Sequence, residues 1–185
     1  MQSSVMKKFV DLKITLTKRT VAPRTFILMW NPAISSYTME RFNDDIEELA
    51  DGWDLDDFDW SVRDWQRLQP GDRFYLVKVG DGNTGIVMSG VFTDEPYQGE
   101  DWSGKGREVY YAKMHIDVML HPDRSPILRT EQLVAACPEF DWTKGSSGQL
   151  IDEALAKRVY DLWSQFLQDN SDVFRPRAVL NLSNE

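Results

Sequence analysis

The strongest constraint on the fold lies between residues 72 and 120, where three apolar runs follow one another with little between them. DRFYLVKVG and GIVMSGVF are joined by Asp81-Gly82-Asn83, residue types that suit a hairpin turn. The third run, REVYYAKMHIDVML, follows the loop EPYQGEDWSGKG, rich in Gly and polar groups and carrying Tyr97 and Trp102. Several β segments this close together predict an α+β fold built on an antiparallel sheet that curls or closes into a small barrel, with flanking helices.

The flanking segments fit that core. TFILMWNP, residues 25 to 32, is a short apolar run stopped by Pro32, which predicts a buried strand ending in a loop at Trp30-Asn31. SSYTMERFNDDIEELADG offers Thr38 as an N-cap, Met39, Phe42, Ile46 and Leu49 at helical spacing, and Gly52 as a stop. It predicts an amphipathic helix whose carboxylates face water. TEQLVAAC reads as a short helix, WTKGSSGQ as a loop, and residues 152 to 168 as a closing helix with Leu155, Val159, Leu162, Trp163 and Phe166 on its apolar face. One domain over residues 25–168 is the simplest reading, preceded by a basic arm at 1–24 and followed by a tail at 169–185. Within the arm, VDLKITL alternates as an added edge strand would.

Charge is polarised along the chain. The net charge of -9 argues against nucleic acid, since phosphate contacts need a basic footprint. Nine carboxylates fall between residues 42 and 60 with no Lys or Arg among them, leaving the rest balanced at 21 acidic and 21 basic residues. Residues 1–24 carry Lys7, Lys8, Lys13, Lys18, Arg19 and Arg24 against Asp11 alone. A basic face is therefore compatible with the composition, and ordinary solvated surface is the plain alternative.

Several function classes find no support in the sequence. A single cysteine, Cys137, forms no internal disulfide, and His115 and His121 lack metal-ligand spacing. No 18-residue apolar run or signal peptide is present, so a soluble, cytoplasmic protein with no membrane partner is expected. There is no nucleophile elbow and no glycine-rich phosphate loop, and no cofactor is expected. The carboxylates at 44–59 sit where burial cannot tune them for acid-base work.

The aromatic residues point elsewhere. Trp163 belongs to a helical core face, whereas Trp30, Trp60, Trp65, Trp102 and Trp142 lie at element ends or in loops beside small or polar residues. Core packing explains any one of them, but five such rings also suit a slot for an unpaired nucleobase or a methylated or cationic group.

The order of these segments resembles the EVE domain, a member of the PUA-like superfamily that also includes YTH and ASCH domains. The resemblance covers roughly residues 25 to 167. It is carried by TFILMWNP, by FDWSVRDWQRLQPGD leading into FYLVKVG, by GIVMSGVF and YYAKMHIDV, and by PILRTEQL, KGSSGQL and ALAKRVYDLW. It implies a PUA-like curled β-barrel with a pocket for a modified base in DNA or RNA, and a nuclease or restriction partner. By position, Trp60 with Ser61 and Val62 would form the cage wall and edge-reading backbone, Trp30 and Asn31 the pocket rim, and Trp102 a second cage aromatic. Lys144, Ser146 and Ser147 would approach phosphate, and Lys78, Lys105, Arg107 and Lys113 complete a candidate basic rim. Trp65, about 140 degrees from Trp60 on a helix, is expected to pack inward.

Two other readings stand beside this one. An ASCH-type hydrolase of a modified nucleoside would need a lysine of depressed pKa beside a carboxylate inside the cavity. A protein-interaction module would add VDLKITL to a partner's sheet and have the Trp60 region filled by side chains.

Overall fold

A computed structural model describes residues 22–173 except Asp54 and Asp56. VDLKITL and most of the basic arm lie outside the described residues, as does the tail beyond Val173. The strands are β1 (Thr25–Trp30), β2 (Asp59–Ser61), β3 (Arg73–Lys78), β4 (Gly85–Phe92), β5 (Tyr97–Gly99), β6 (Val109–Met119), β7 (Leu128–Arg129) and β8 (Gln149–Ile151). Among the described residues three helices flank them, α1 (Met39–Ala50), α2 (Thr130–Ala136) and α3 (Glu153–Asp169), with one 3-10 turn at Trp65–Arg67.

The strands form one curled sheet in the order β2-β6-β4-β3-β1-β8, with β5 beside β6 and β7 beside β4. The expected hairpin joins β3 to β4, pairing Arg73 with Val91 and Lys78 with Gly85. The sheet is mixed rather than wholly antiparallel, because β1 and β3 run parallel from Thr25↔Arg73 to Trp30↔Lys78. The physical reason is the connection: a crossover through α1, β2 and the 3-10 turn is long enough to return the chain in the same direction, which a tight hairpin cannot do. Irregularities at Leu76/Val77 and Ser89/Gly90 bend the two long antiparallel pairs and curl the sheet into a half-barrel. Gly90 permits that bend, since a Cβ there would lie 2.0 Å from the carbonyl oxygen of His115.

All six residues of β1 are buried, because both of its faces are covered. Alternation puts Phe26, Leu28 and Trp30 inside the curl, with Phe74 and Leu76 of β3 at the same level. Phe42 of α1 stacks on Trp30 with ring centroids 4.8 Å apart. On the other face, Trp163 of α3 packs edge-on to Tyr75 and donates its indole N–H to Ser89 Oγ at 3.0 Å.

The helix ends follow their caps. Thr38 Oγ1 accepts from the Arg41 N–H at the start of α1, and the Asp152 carboxylate accepts from the Leu155 N–H at the start of α3. One expectation for α1 fails. Asp44, Glu47 and Glu48 face water, but Asp45 is only 1% exposed and accepts the Tyr37 hydroxyl at 2.6 Å. The helical spacing that places Phe42 inward places Asp45, three residues on, beside it. Among the described residues no helix is long and apolar enough to cross a membrane.

Candidate functional site

The short strand β2 positions the site. It pairs antiparallel with the amino end of β6, Trp60 opposite Ala112 and Ser61 opposite Tyr111. The Met114 N–H donates to the Phe58 carbonyl and the Val62 N–H to the Tyr110 carbonyl, both at 2.8 Å. Phe58, Trp60 and Val62 therefore share a sheet face with Met114, Ala112 and Tyr110. By the same alternation the N–H and C=O of Ser61 point away from β6, along an edge of β2 on which no described strand pairs.

Trp60 is 9% exposed. Its indole N–H donates to Ser147 Oγ at 2.8 Å, the Tyr37 ring meets it edge-on at 5.6 Å, and Phe58 lies nearly parallel at 6.2 Å. Ser147 Oγ also accepts the Met29 N–H at 3.0 Å. Its loop is held against β2 by the Arg63 N–H to the Ser147 carbonyl and the Asp64 N–H to the Gly148 carbonyl. Glycine is required at 148: φ is +79°, and a Cβ would lie 2.4 Å from Val62 Cα.

Around these residues opens a cleft of about 1130 Å³, with Asn31, Tyr37, Trp60, Trp65, Trp102 and Tyr110 in its wall. Trp65 and Tyr110 are stacked at 3.7 Å with 12° between their planes. Trp102 is 44% exposed, on a loop organised by one carboxylate. Asp101 accepts from the Ser103 N–H and hydroxyl, from the Lys105 and Arg107 N–H groups, and from the Arg107 guanidinium. These donors, the Arg107 side chain foremost, hold its carboxyl well below the usual range. The same guanidinium lies 5.9 Å from the Trp102 ring centroid. Deeper in, burial and the hydrogen bond to Asp45 push the Tyr37 hydroxyl far up, so it stays protonated and acts as a donor. Arg41 Nε stands 3.0 Å from the other Asp45 oxygen.

The sequence-derived site is brought together in part. Asn31, Trp60, Ser61, Val62, Trp102, Arg107, Lys144 and Ser146 all line the cleft. Trp30 does not: it is sealed in the core, stacked on Phe42, with its N–H donated to the Tyr37 carbonyl at 2.7 Å. Val62 is buried and its N–H is held by Tyr110, so the edge-reading backbone falls to Ser61. Lys78 is buried too, its ammonium donating to the carbonyls of Asp81 and Asn83, where it closes the hairpin rather than meeting phosphate. Lys105 and Lys113 stand outside the cleft wall, and Lys113 is paired with Asp57 at 3.0 Å. The rim is consequently mixed, not basic: Glu48, Asp57, Asp59 and Glu108 interleave with Arg41, Arg63, Arg107 and Lys144.

Trp65 packs in part against the core, as expected, and also lines the cleft. Trp60 lies in a strand and Trp65 opens a 3-10 turn, so a helical angle between them does not apply, and Trp65 faces the cleft. Trp142 is core, its N–H donated to the Cys137 carbonyl. Tyr37, Asp45 and Tyr110 were not singled out from sequence. Alternation in YYAKM carries the signal for Tyr110, which shares its parity with Ala112 and Met114.

No family model matches the sequence, and no curated protein matches it. Among solved structures, a hypothetical protein from Leishmania major is similar with a TM-score of 0.53 and 10% identity, over 85% of this chain and 100% of that one. The MmI1 YTH domain is similar over 79% of this chain and 98% of that one, with a TM-score of 0.45 and 9% identity. An ASCH protein variant from Zymomonas mobilis covers 75% of this chain and 98% of its own, also with a TM-score of 0.45 and 9% identity. At such identities the likeness to the Leishmania major protein is one of fold.

Proposed function

We propose that the protein is a non-enzymatic reader of a modified nucleobase in DNA or RNA, with the base held beside Trp60 and its polar edge on the Ser61 backbone. The observation that carries this reading is the juxtaposition of an aromatic-walled cleft with the N–H and C=O that Ser61 leaves on the open edge of β2. Aromatic faces take a base of any sequence, and a neighbouring donor-acceptor pair discriminates among base edges. Membership of the EVE group, cytoplasmic location and a nuclease or restriction partner belong to the same reading.

The two alternatives find less support. Lys144 is the lysine in the cleft wall and is 83% exposed, pointing to solvent 3.9 Å from Asp141, which does not suit a buried catalytic amine. The Trp60 region opens on a cleft, whereas a protein-interaction module would have that region filled by side chains.

The test is tryptophan fluorescence of wild type and Trp60→Ala, titrated with single- and double-stranded oligonucleotides carrying 5-methylcytosine, 5-hydroxymethylcytosine, N6-methyladenine or no modification. Quenching by one modified strand, absent for its unmodified twin and lost in Trp60→Ala, is the expected result. Absence of any binding at low salt, where phosphate contacts are strongest, would refute the reading.

A further inference from the structure

Trp65 and Tyr110 stand in the cleft wall, and a single base beside Trp60 does not account for them. Their rings are parallel and in contact, at 3.7 Å and 12°, yet both remain partly open to solvent. Both rings line the cleft, whereas Trp30 and Trp142 are sealed in the core. Continuing the β2–β6 register puts Tyr110 opposite Val62, so it is the diagonal neighbour of Trp60 on the same sheet face, about 7–8 Å away.

The pair is also fixed in place before anything binds. The turn that carries Trp65 is fastened by the Asp64 carboxylate, which accepts the Leu150 N–H at 2.8 Å, and by the Asp64 N–H to Gly148. The Tyr110 hydroxyl donates to Glu108 at 2.9 Å. A platform held this way loses little side-chain freedom when a flat ring settles on it.

Its surroundings suit one kind of occupant. Arg63, 55% exposed, precedes the turn and pairs with Asp64 at 3.2 Å; Lys144 extends from the loop whose Ser147 carbonyl accepts the Arg63 N–H. Two exposed cations lining the same cleft as the ring platform fit a phosphate running between two bases. The carboxylates of Glu108 and Asp64 are already engaged by Tyr110 and by the Leu150 N–H and Arg63.

We propose that the Trp65–Tyr110 pair stacks the base adjacent to the one held at Trp60, so that the ligand is an unpaired strand of at least two nucleotides, not a free nucleoside or an intact duplex. This rests on the base-reading function proposed above. A neighbour inside a duplex has its faces covered by its own stack, whereas in a single strand it offers a face to the platform.

The experiment uses single-stranded heptanucleotides with 5-methylcytosine, N6-methyladenine or the unmodified base at the centre. Each is made intact, with an abasic site on the 5′ side of the centre, or with one on the 3′ side, so the phosphates stay constant. Binding to the full chain is read by fluorescence anisotropy. One abasic form is expected to bind about tenfold more weakly than the intact strand, a stacking-sized effect. That difference should vanish in Trp65→Ala and persist in Trp65→Phe, both checked for native circular dichroism.

If both abasic forms match the intact strand while the modified centre is still preferred, the platform is refuted and the base-reading function stands. Persistence of the difference in Trp65→Ala would refute it equally. A neighbour effect through Trp65 with no preference for a modified centre would overturn the base-reading function and leave a general single-strand site. No binding of any heptanucleotide at low salt would overturn both.

Discussion

The indole N–H of Trp60 and the amide of Met29 meet on one atom, Ser147 Oγ, which accepts both at 2.8 and 3.0 Å. A single hydroxyl thus ties together β1, β2 and the glycine-serine loop, and sets the orientation of the ring at the cleft's centre. Ser147→Ala leaves two N–H groups at this node without their acceptor. Unfolding in urea is expected to show a loss of about 2 kcal/mol, and Trp60 emission should shift to the red. An unchanged midpoint would mean that the hydroxyl does not carry the junction.

Trp30 and Trp65 should separate stability from binding. Trp30→Ala removes a sealed ring stacked on Phe42 and is expected to cost about 3–5 kcal/mol, with severe loss of soluble protein. Trp65→Ala removes a partly buried ring and should cost about 1 kcal/mol while weakening strand binding. Denaturant midpoints of the two variants decide the matter, and equal losses would contradict their different placement.

Asp101→Asn tests whether the Trp102 loop is preorganised. The neutral amide offers one acceptor oxygen where the carboxylate gathers the Ser103, Lys105 and Arg107 donors. Hydrogen exchange in a peptide spanning residues 100–107 is expected to accelerate, with exchange in β3 and β4 unchanged. If the loop is as protected as in wild type, the carboxylate is not its organiser.

These sites differ in how far the sequence announced them. The β3–β4 hairpin, α1 and α3 were legible because turn residues, caps and apolar period agreed locally. The parallel pairing of β1 with β3 was not, since it depends on where a long crossover delivers the chain. Trp60 was marked by its place beside a turn, but Trp30 shares that description and lies in the core, because element ends in a curled sheet fall on either surface. Lys78 shows the limit of charge reading: a lysine at a strand end looks exposed until the hairpin folds its carbonyls over the ammonium.

Stability should also depend on His121. Burial, with the nearby Arg124 charge, lowers its pKa from the ordinary 6.5, and its Nδ1 accepts the Asp123 N–H, which requires an unprotonated nitrogen. The folded state therefore favours the neutral ring, and its contribution is present above about pH 6.5 and declines as pH falls from there toward the lower folded value. Melting temperature measured from pH 8 to pH 5 should fall across that window, and His121→Gln should flatten that part of the profile. A wild-type profile without the decline would remove the histidine from the account.

Lys78 and Lys144 offer a paired test of which cations meet phosphate. Lys78 donates to two carbonyls inside the hairpin, so Lys78→Met is expected to cost about 1.5–3 kcal/mol of stability, the range for bonds to charged groups. It should leave the salt dependence of oligonucleotide binding unchanged. Lys144 is exposed at the cleft, and Lys144→Ala should do the reverse: little change in stability, and a slope of log K against log salt shallower by about 0.7, one phosphate contact on a single strand. Binding isotherms of both variants at several salt concentrations make the comparison. A shallower slope for Lys78→Met would show that this lysine leaves the hairpin to meet the ligand, and an unchanged slope for Lys144→Ala would remove its loop from the phosphate path.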